Sequence, residues 1–337
     1  MGLKISWIFR GKFPLMISGF INIILITGFL IIFMKHDGNT EHKVAKRSTF
    51  SLSAPESING QKGEACFMFL LIFTSPGGED RRNAIRQTWL KLDTPKDFPI
   101  IHKFVVGTLH LEYQQKRNLI AENDVYKDVI FLNELRDSYN NLTLKLLHSF
   151  MWISKNIDSK FVMKVDDDSF VRLGVLVRDL EKKRKFGRIY WGFFRGDANV
   201  KSRGPWAEPN WVLCDKYLPY ADGGGYVLSQ ELVHHISRQS EMLQLYKSED
   251  VSVGTWLAPV RLNRVHDVRF DTEYKSRGCN NRHIVSHKQT ISDMHMKYEE
   301  LKNNNHLCAV EKTERLSFEY DWHAKPSQCC KRMRGIP

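Results

Sequence analysis

The sequence predicts an α/β domain built on a mostly parallel sheet, set behind an N-terminal transmembrane helix. Three observations carry that prediction. A hydrophobic segment near the N-terminus is long enough to cross a bilayer, and short apolar runs alternate with helical periodicities through the rest of the chain. Three consecutive carboxylates also stand where one apolar run ends, which is where open α/β sheets bind their ligands.

The hydrophobic segment comes first. Phe13 to Met34 carries no charge over 22 residues and is bracketed by Lys12 and Lys35. At about 1.5 Å per residue it spans a hydrocarbon core of roughly 30 Å. A cleaved signal peptide would have a shorter apolar region and a small-residue site, and Leu30 to Phe33 offers none. Basic residues lie on both sides of the span, so the shape of the chain sets its orientation: a short head precedes it, and long domains translocate largely regardless of charge. Residues 1–12 are therefore expected as a cytoplasmic tail, 13–34 as an uncleaved signal anchor, 35–63 as a polar lumenal stem, and 64–337 as the lumenal domain. The sequon Asn141-Leu142-Thr143, a candidate glycosylation site at Asn141, and an even set of six cysteines suit a lumenal setting, with the pairing left open. The net charge of +12 would otherwise suggest nucleic acid, which a lumenal domain does not meet.

Within the lumenal chain, Cys66–Thr74 reads as a buried parallel strand ended by Ser75-Pro76-Gly77-Gly78, with a helix from Glu79 to Leu90. Further strand-like runs follow at His102–Val106, Val129–Leu132 and Phe161–Val165. Leu142, Leu146 and Phe150 recur at helical spacing, as do Leu173, Leu176, Val177 and Leu180. Lys182 to Lys185 then complements the negative end of that second helix. Walker, dinucleotide-binding, zincin, nucleophile-elbow and C-x-x-C patterns are all missing from the sequence, which removes several common chemistries.

The chemistry gathers at Asp166-Asp167-Asp168. On an extended backbone Asp166 and Asp168 point to one side and Asp167 to the other. Adjacent like charges repel unless a cation joins them, and carboxylates suit Mg, Mn or Ca. An EF-hand is excluded, because its fifth and sixth loop positions would be Phe170 and Val171. The remaining readings are a solvated acidic turn or a metal that grips a substrate diphosphate. A second acidic pair, Glu249-Asp250, either supplies a general base or simply favours the start of a helix capped by Ser248. Gly223-Gly224-Gly225 suggests close approach of backbone to a ligand, or a plain turn. Arg81, Arg82 and Arg86 form either a phosphate contact or the wet face of a helix.

Read together, these segments resemble a family. Arg82-Asn83-Ala84-Ile85-Arg86-Gln87-Thr88-Trp89 is similar to the R-x-x-I-R-x-T-W motif of the β1,3-galactosyltransferases, glycosyltransferase family 31. Asp137 to Lys145 resembles their D-x-Y-x-N-L-T-x-K motif, Lys164 to Phe170 their D-D-D strand, and Glu249 to Gly254 their E-D-V-x-x-G motif. Tyr190–Phe194, Tyr217–Ala221, Asp271–Tyr274 and Pro326–Cys330 resemble the branch that builds the glycosaminoglycan linkage region. The resemblance implies a glycosyltransferase-A-like, Rossmann-like fold in the Golgi membrane. It implies inverting transfer of galactose from UDP-galactose, in β1,3 linkage, to galactosyl-β1,4-xylose on a proteoglycan core protein. By motif position, Asp168 and His287 would bind Mn²⁺, with His266 and His283 as nearby alternatives. Asp166 and Asp167, with Arg82, Arg86, Asp137 and Lys145, would serve the donor. Asp250 matches the base and Glu249 the acceptor side. Trp191 and Tyr220 would offer sugars a flat face, unless they are core aromatics. A relative with another donor or acceptor, and a membrane-anchored lectin, are the alternatives.

Overall fold

The computed structural model describes residues 63–337, and its first element is the strand expected from the apolar run at Cys66–Thr74. The expected cytoplasmic tail, signal anchor and nearly all of the stem lie outside the described residues. Among the described residues no helix is long and apolar enough to cross a membrane.

Strand β1 (Glu64–Phe73) leads into α1 (Glu79–Gln87), which carries Glu79 and Asp80 against the positive end of its dipole. The chain continues through β2 (Ile100–Gly107), α2 (Tyr113–Tyr126), β3 (Val129–Leu132), α3 (Leu142–Asn156) and β4 (Ile157–Asp166). Strand β5 (Phe170–Val171) precedes α4 (Leu173–Lys183), whose last turn holds Lys182 and Lys183 as the dipole argument expects. Next come β6 (Ile189–Gly192), β7 (Phe194–Arg195), a long excursion, β8 (Tyr220–Ala221), β9 (Gly225–Ser229), α5 (Gln230–Arg238) and α6 (Glu249–Trp256). The described chain closes with β10 (Asn263–His266), β11 (Phe270–Asp271), β12 (Gly278–Cys279), β13 (Val285–Ser286), α7 (Ile291–Asn304) and β14 (Lys312–Thr313). The helix expected over Glu79–Leu90 stops at Gln87 and gives way to a 3₁₀ turn at Trp89–Lys91.

Seven strands form the main sheet in the order β10-β6-β9-β4-β1-β2-β3. The pairs β1–β2, β2–β3, β1–β4 and β6–β10 are parallel, whereas β9 runs antiparallel to both neighbours. The sheet is therefore mostly parallel, as expected, and β9 alone makes it mixed. Entering from the opposite end, β9 sets Gly225 opposite Val165, so the preceding glycines land beside the end of β4. Along β1, Met68, Leu70 and Ile72 pack into one apolar layer, while Phe69, Leu71 and Phe73 pack into the other. Helix α4 seals the first layer with Leu173, Leu176, Val177 and Leu180, and α3 the second with Leu146, Phe150 and Ile153.

A smaller sheet positions the site. Strand β13 pairs antiparallel with β5, with Ser286 opposite Phe170, which brings His287 back alongside the carboxylate turn. Cys279 is bonded to Cys308, and Cys329 to its neighbour Cys330. Cys66 is a buried free thiol and Cys214 an exposed one.

Candidate active site

Strand β4 ends at Asp166, and the Asp167 backbone N–H closes onto Phe73 O at 3.0 Å, so the carboxylates emerge beside the end of β1. Ligand atoms of Asp166, Asp168 and His287 all lie within 4.8 Å of one another. The Nδ1–H of His287 donates to Glu273 O at 3.0 Å, and because a carbonyl only accepts, this fixes the tautomer. Nε2 then faces Asp168 Oδ1 at 3.0 Å and Asp166 Oδ2 at 3.6 Å, buried and without a directed hydrogen bond. Two carboxylates around an orphaned imidazole nitrogen fit a divalent cation. Burial alone would raise the Asp168 pKa, but His287 and Lys288 outweigh it and hold this carboxyl well below its usual range. Asp167 points away, as strand alternation requires. Burial, together with the charges of Asp166 and Asp168, pushes its pKa up to about 6. Of the three candidate histidines, His266 accepts from Phe194 N at 3.0 Å within the fold and His283 is buried, which leaves His287 at the carboxylates.

Lys164 joins this cluster to the second acidic pair. Its buried ammonium lies 2.8 Å from Asp166 Oδ1, 2.5 Å from Glu249 Oε1 and 2.6 Å from Gly223 O. Glu249 is thus held by a buried lysine through Oε1. Asp250 accepts from Gly223 N at 2.9 Å and from Val251 N at 2.8 Å. Burial, then the charges of Glu249 and Asp222, raise its pKa well above the carboxylate range, although its side chain still reaches solvent. Ser248 stands at the N-cap of α6 but makes no side-chain capping bond, so the expected cap is absent.

The glycines are explained by these neighbours. A Cβ on Gly223 would sit 2.7 Å from Glu249 Oε1, and one on Gly224 only 2.5 Å from the His287 ring. Only glycine lets the backbone pass between the Glu249-Asp250 pair and His287 here.

Other expected site residues prove to be scaffolding. Arg82 is fully buried and its guanidinium grips Glu122 at 2.8 and 2.6 Å. Arg86 pairs with Glu122 at 2.7 Å and Asp128 at 2.8 Å. Both guanidinium groups are consumed in tying α1 to α2, so neither is free for phosphate. Arg81, by contrast, reaches Gln289 O at 3.1 Å, and its charge is felt by Asp167. Asp137 and Lys145 pair at 2.6 Å, and Lys145 also donates to Thr74 O at 2.6 Å, bracing the end of β1. Trp191 is wholly buried, bonded to Asp267 at 3.1 Å and packed edge-on against Phe270, so it is core. Tyr220 is likewise buried, packed with Tyr217 and Val251. Asn141 donates to Arg136 O at 2.9 Å in the turn before α3, and the hydroxyl of Thr143 donates to Tyr246 O at 2.6 Å.

Sequence reasoning passed over Lys164 and Glu273. A lysine within an apolar buried strand was a usable signal for the first. Glu273 is fully buried and takes Arg195 at 2.7 Å together with Arg332. Its role was not visible, because its partners lie far away in sequence.

The family model described as galactosyltransferase matches residues 80–268. The beta-1,3-galactosyltransferase 6 of Mus musculus is 48% identical over 276 residues, covering 80% of this chain and 84% of that protein. The UDP-GalNAc:beta-1,3-N-acetylgalactosaminyltransferase 2 of Xenopus tropicalis is 29% identical over 206 residues, 60% of this chain but only 41% of that protein. The solved mannosyltransferase of Pyrobaculum calidifontis with GDP-Man and Mn²⁺ aligns with 64% of this chain and 59% of that one. Its TM-score is 0.36 and its identity 12%, too loose for a residue comparison. With a family match over more than half its length, and a relative nearly half identical across most of both chains, this chain belongs to the β1,3-galactosyltransferase family and is a glycosyltransferase of the hexosyltransferase type.

Proposed function

We propose that the protein transfers galactose from UDP-galactose to the 3-hydroxyl of the galactose in galactosyl-β1,4-xylose on a proteoglycan serine. The observation that carries this reading is the pairing of a cation-ready cluster, Asp166, Asp168 and His287, with the elevated carboxylate of Asp250 across the Gly223-Gly224 turn. The 48% identity to a protein named beta-1,3-galactosyltransferase 6 supports galactose as the donor sugar. The segments resembling the linkage-region branch support the acceptor.

The donor sugar is α-linked and the product β-linked, so the acceptor oxygen attacks the face opposite UDP. As the new oxygen–carbon bond forms, Asp250 takes the hydroxyl proton, a contribution of about 10²–10⁴-fold. The bond from the anomeric carbon to the diphosphate breaks, and its electron pair leaves with UDP. Asp166, Asp168 and His287 would hold a divalent ion, which when bound would supply Lewis-acid neutralisation of the charge on the leaving diphosphate. Lys164 holds Asp166 in place and neutralises Glu249, so the nearby charge does not compete with Asp250 for the acceptor proton. Arg81 is the basic side chain of α1 left near the carboxylates. Residues 13–34 would anchor the chain as a type II protein with its domain in the Golgi lumen.

The test uses the full chain in detergent with labelled UDP-galactose and galactosyl-β1,4-xyloside. A β1,3-linked trisaccharide formed with Mn²⁺ and abolished by EDTA is the expected result. Transfer from UDP-GalNAc in its place would move the donor assignment toward that in the Xenopus relative's name. Saccharide binding without any transfer would favour the lectin reading.

A further inference from the structure

Trp191 and Tyr220 are buried, yet two other large aromatics stand open at the turn that leads into α3 and the loop that faces it. Tyr139 is 51% exposed and Trp206 43% exposed. Their rings meet edge to face with centroids 5.7 Å apart, a contact that leaves ring surface of the pair open. Tyr139 opens the 3₁₀ turn Tyr139–Asn141 ahead of α3, and Trp206 lies in the excursion between β7 and β8. Partial burial, then the charges of Glu249, Asp166 and Asp250, raise the pKa of the Tyr139 hydroxyl, which puts this ring within the field of the base and the metal cluster.

The loop that presents Trp206 is firmly held. Asn199 and Lys216 form a bridge across its base, and the Lys201 backbone N–H donates to the Tyr217 hydroxyl at 3.0 Å. Glu208 is nearly buried, and its carboxylate accepts from the backbone N–H of Lys247, two residues before Glu249. The Trp206 loop is thereby tied to the segment that enters α6 and delivers Asp250. Beside the pair lies a cleft of about 540 Å³ lined by Asn140, Pro205, Glu208, Asn210, Tyr246 and Lys247. Three asparagines, a threonine and one tyrosine supply its polar edges, and its one lysine is matched by Glu208, which suits a neutral polyhydroxylated ligand better than a diphosphate. A pyranose has one flat C–H face and a rim of hydroxyls, and this surface offers partners for both.

We propose that Tyr139 and Trp206 form the acceptor platform, on which a sugar ring of the acceptor stacks so that its hydroxyl reaches Asp250. This rests on the reading of Asp250 as base and supplies the saccharide subsite that reading needs.

The test is Trp206→Ala and Tyr139→Ala in the full chain, with Trp206→Phe as the conservative control. Stacking of this kind, when lost, is expected to raise the acceptor KM by about tenfold. The KM for UDP-galactose should stay within about twofold, because the rings lie on the acceptor side of the site, and Trp206→Phe should recover most of the loss. An unchanged acceptor KM in both alanine variants overturns the platform. A second readout needs no turnover: saturation-transfer NMR of galactosyl-β1,4-xyloside with UDP- and Mn²⁺-loaded Asp250→Asn protein, with and without Trp206→Ala. Loss of the saccharide signal with Trp206→Ala supports the platform. Equal signals, or no signal with Trp206 intact, overturn it. If the wild-type chain transfers no sugar, the activity reading has failed, and the NMR comparison still decides the platform.

Discussion

A lysine ammonium between Asp166 and Glu249 has little water to solvate it, so its charge is held by those carboxylates and the Gly223 carbonyl. Burial works to lower the Lys164 pKa, and the two carboxylates more than reverse it. Lys164→Met removes the cation and leaves the acids facing each other, an expected loss of about 3–5 kcal/mol in urea denaturation. The same variant should weaken Mn²⁺ binding, read by titration, because Asp166 loses its orienting partner. For Asp250 the pKa is raised, so the sign is worked from that direction. A base acts when deprotonated, hence the acid limb of kcat/KM should lie above the ordinary carboxylate range and vanish in Asp250→Asn along with about 10²–10⁴ of the rate. Stability runs the other way. A carboxyl with a raised folded-state pKa contributes most below its unfolded pKa and loses that contribution as pH rises through the folded value. Asp250→Asn is therefore expected to keep or raise Tm at pH 7, and a drop in Tm there would refute the assigned direction.

Among the elements, α1 shows how a motif with functional residue types can be structural. The Arg82–Glu122 and Arg86–Asp128 pairs bind α1 to α2 and its exit, and Arg82 also donates to Ser75 O at 2.7 Å, shaping the loop that faces the carboxylates. Arg82→Met would leave Glu122 buried with half its partners gone, and a loss of about 3–5 kcal/mol in denaturant stability is expected. Transfer by the surviving folded fraction should fall far less than in Asp250→Asn. The Cys279–Cys308 bond closes 29 residues around α7 and the strand that presents His287. Replacing both cysteines by serine should cost about 2–5 kcal/mol by thermal denaturation. Strands β1 to β4 and helices α1, α3 and α4 were legible because burial leaves apolar runs and a helical period in the sequence. Strand β9 was not, since its five residues are all buried and carry no alternation to mark a strand.

Across the whole molecule, the C-terminal ends of β1 and β4, the Gly223-Gly224 turn and the β5–β13 pairing converge to make one site from segments more than a hundred residues apart. A ligand that binds only the assembled site stabilises the fold, by about 2.7 kcal/mol at a hundredfold excess over Kd. Saturating Mn²⁺ should therefore raise Tm in a thermal scan, EDTA should reverse it, and Asp168→Asn should abolish the shift. The sequence by itself determined the alternation of elements, the placing of three carboxylates at a strand end and the family, because these depend on residue type and local spacing. Tertiary structure alone decided which members of those motifs are free to act. Arg82, Arg86 and Trp191 have the chemistry for binding, but each is held by a distant partner, and Asp250 and His287 take their surroundings from neighbours brought in by the sheet. A side chain's availability is set by what else fills its surroundings, and that is a property of the packed chain.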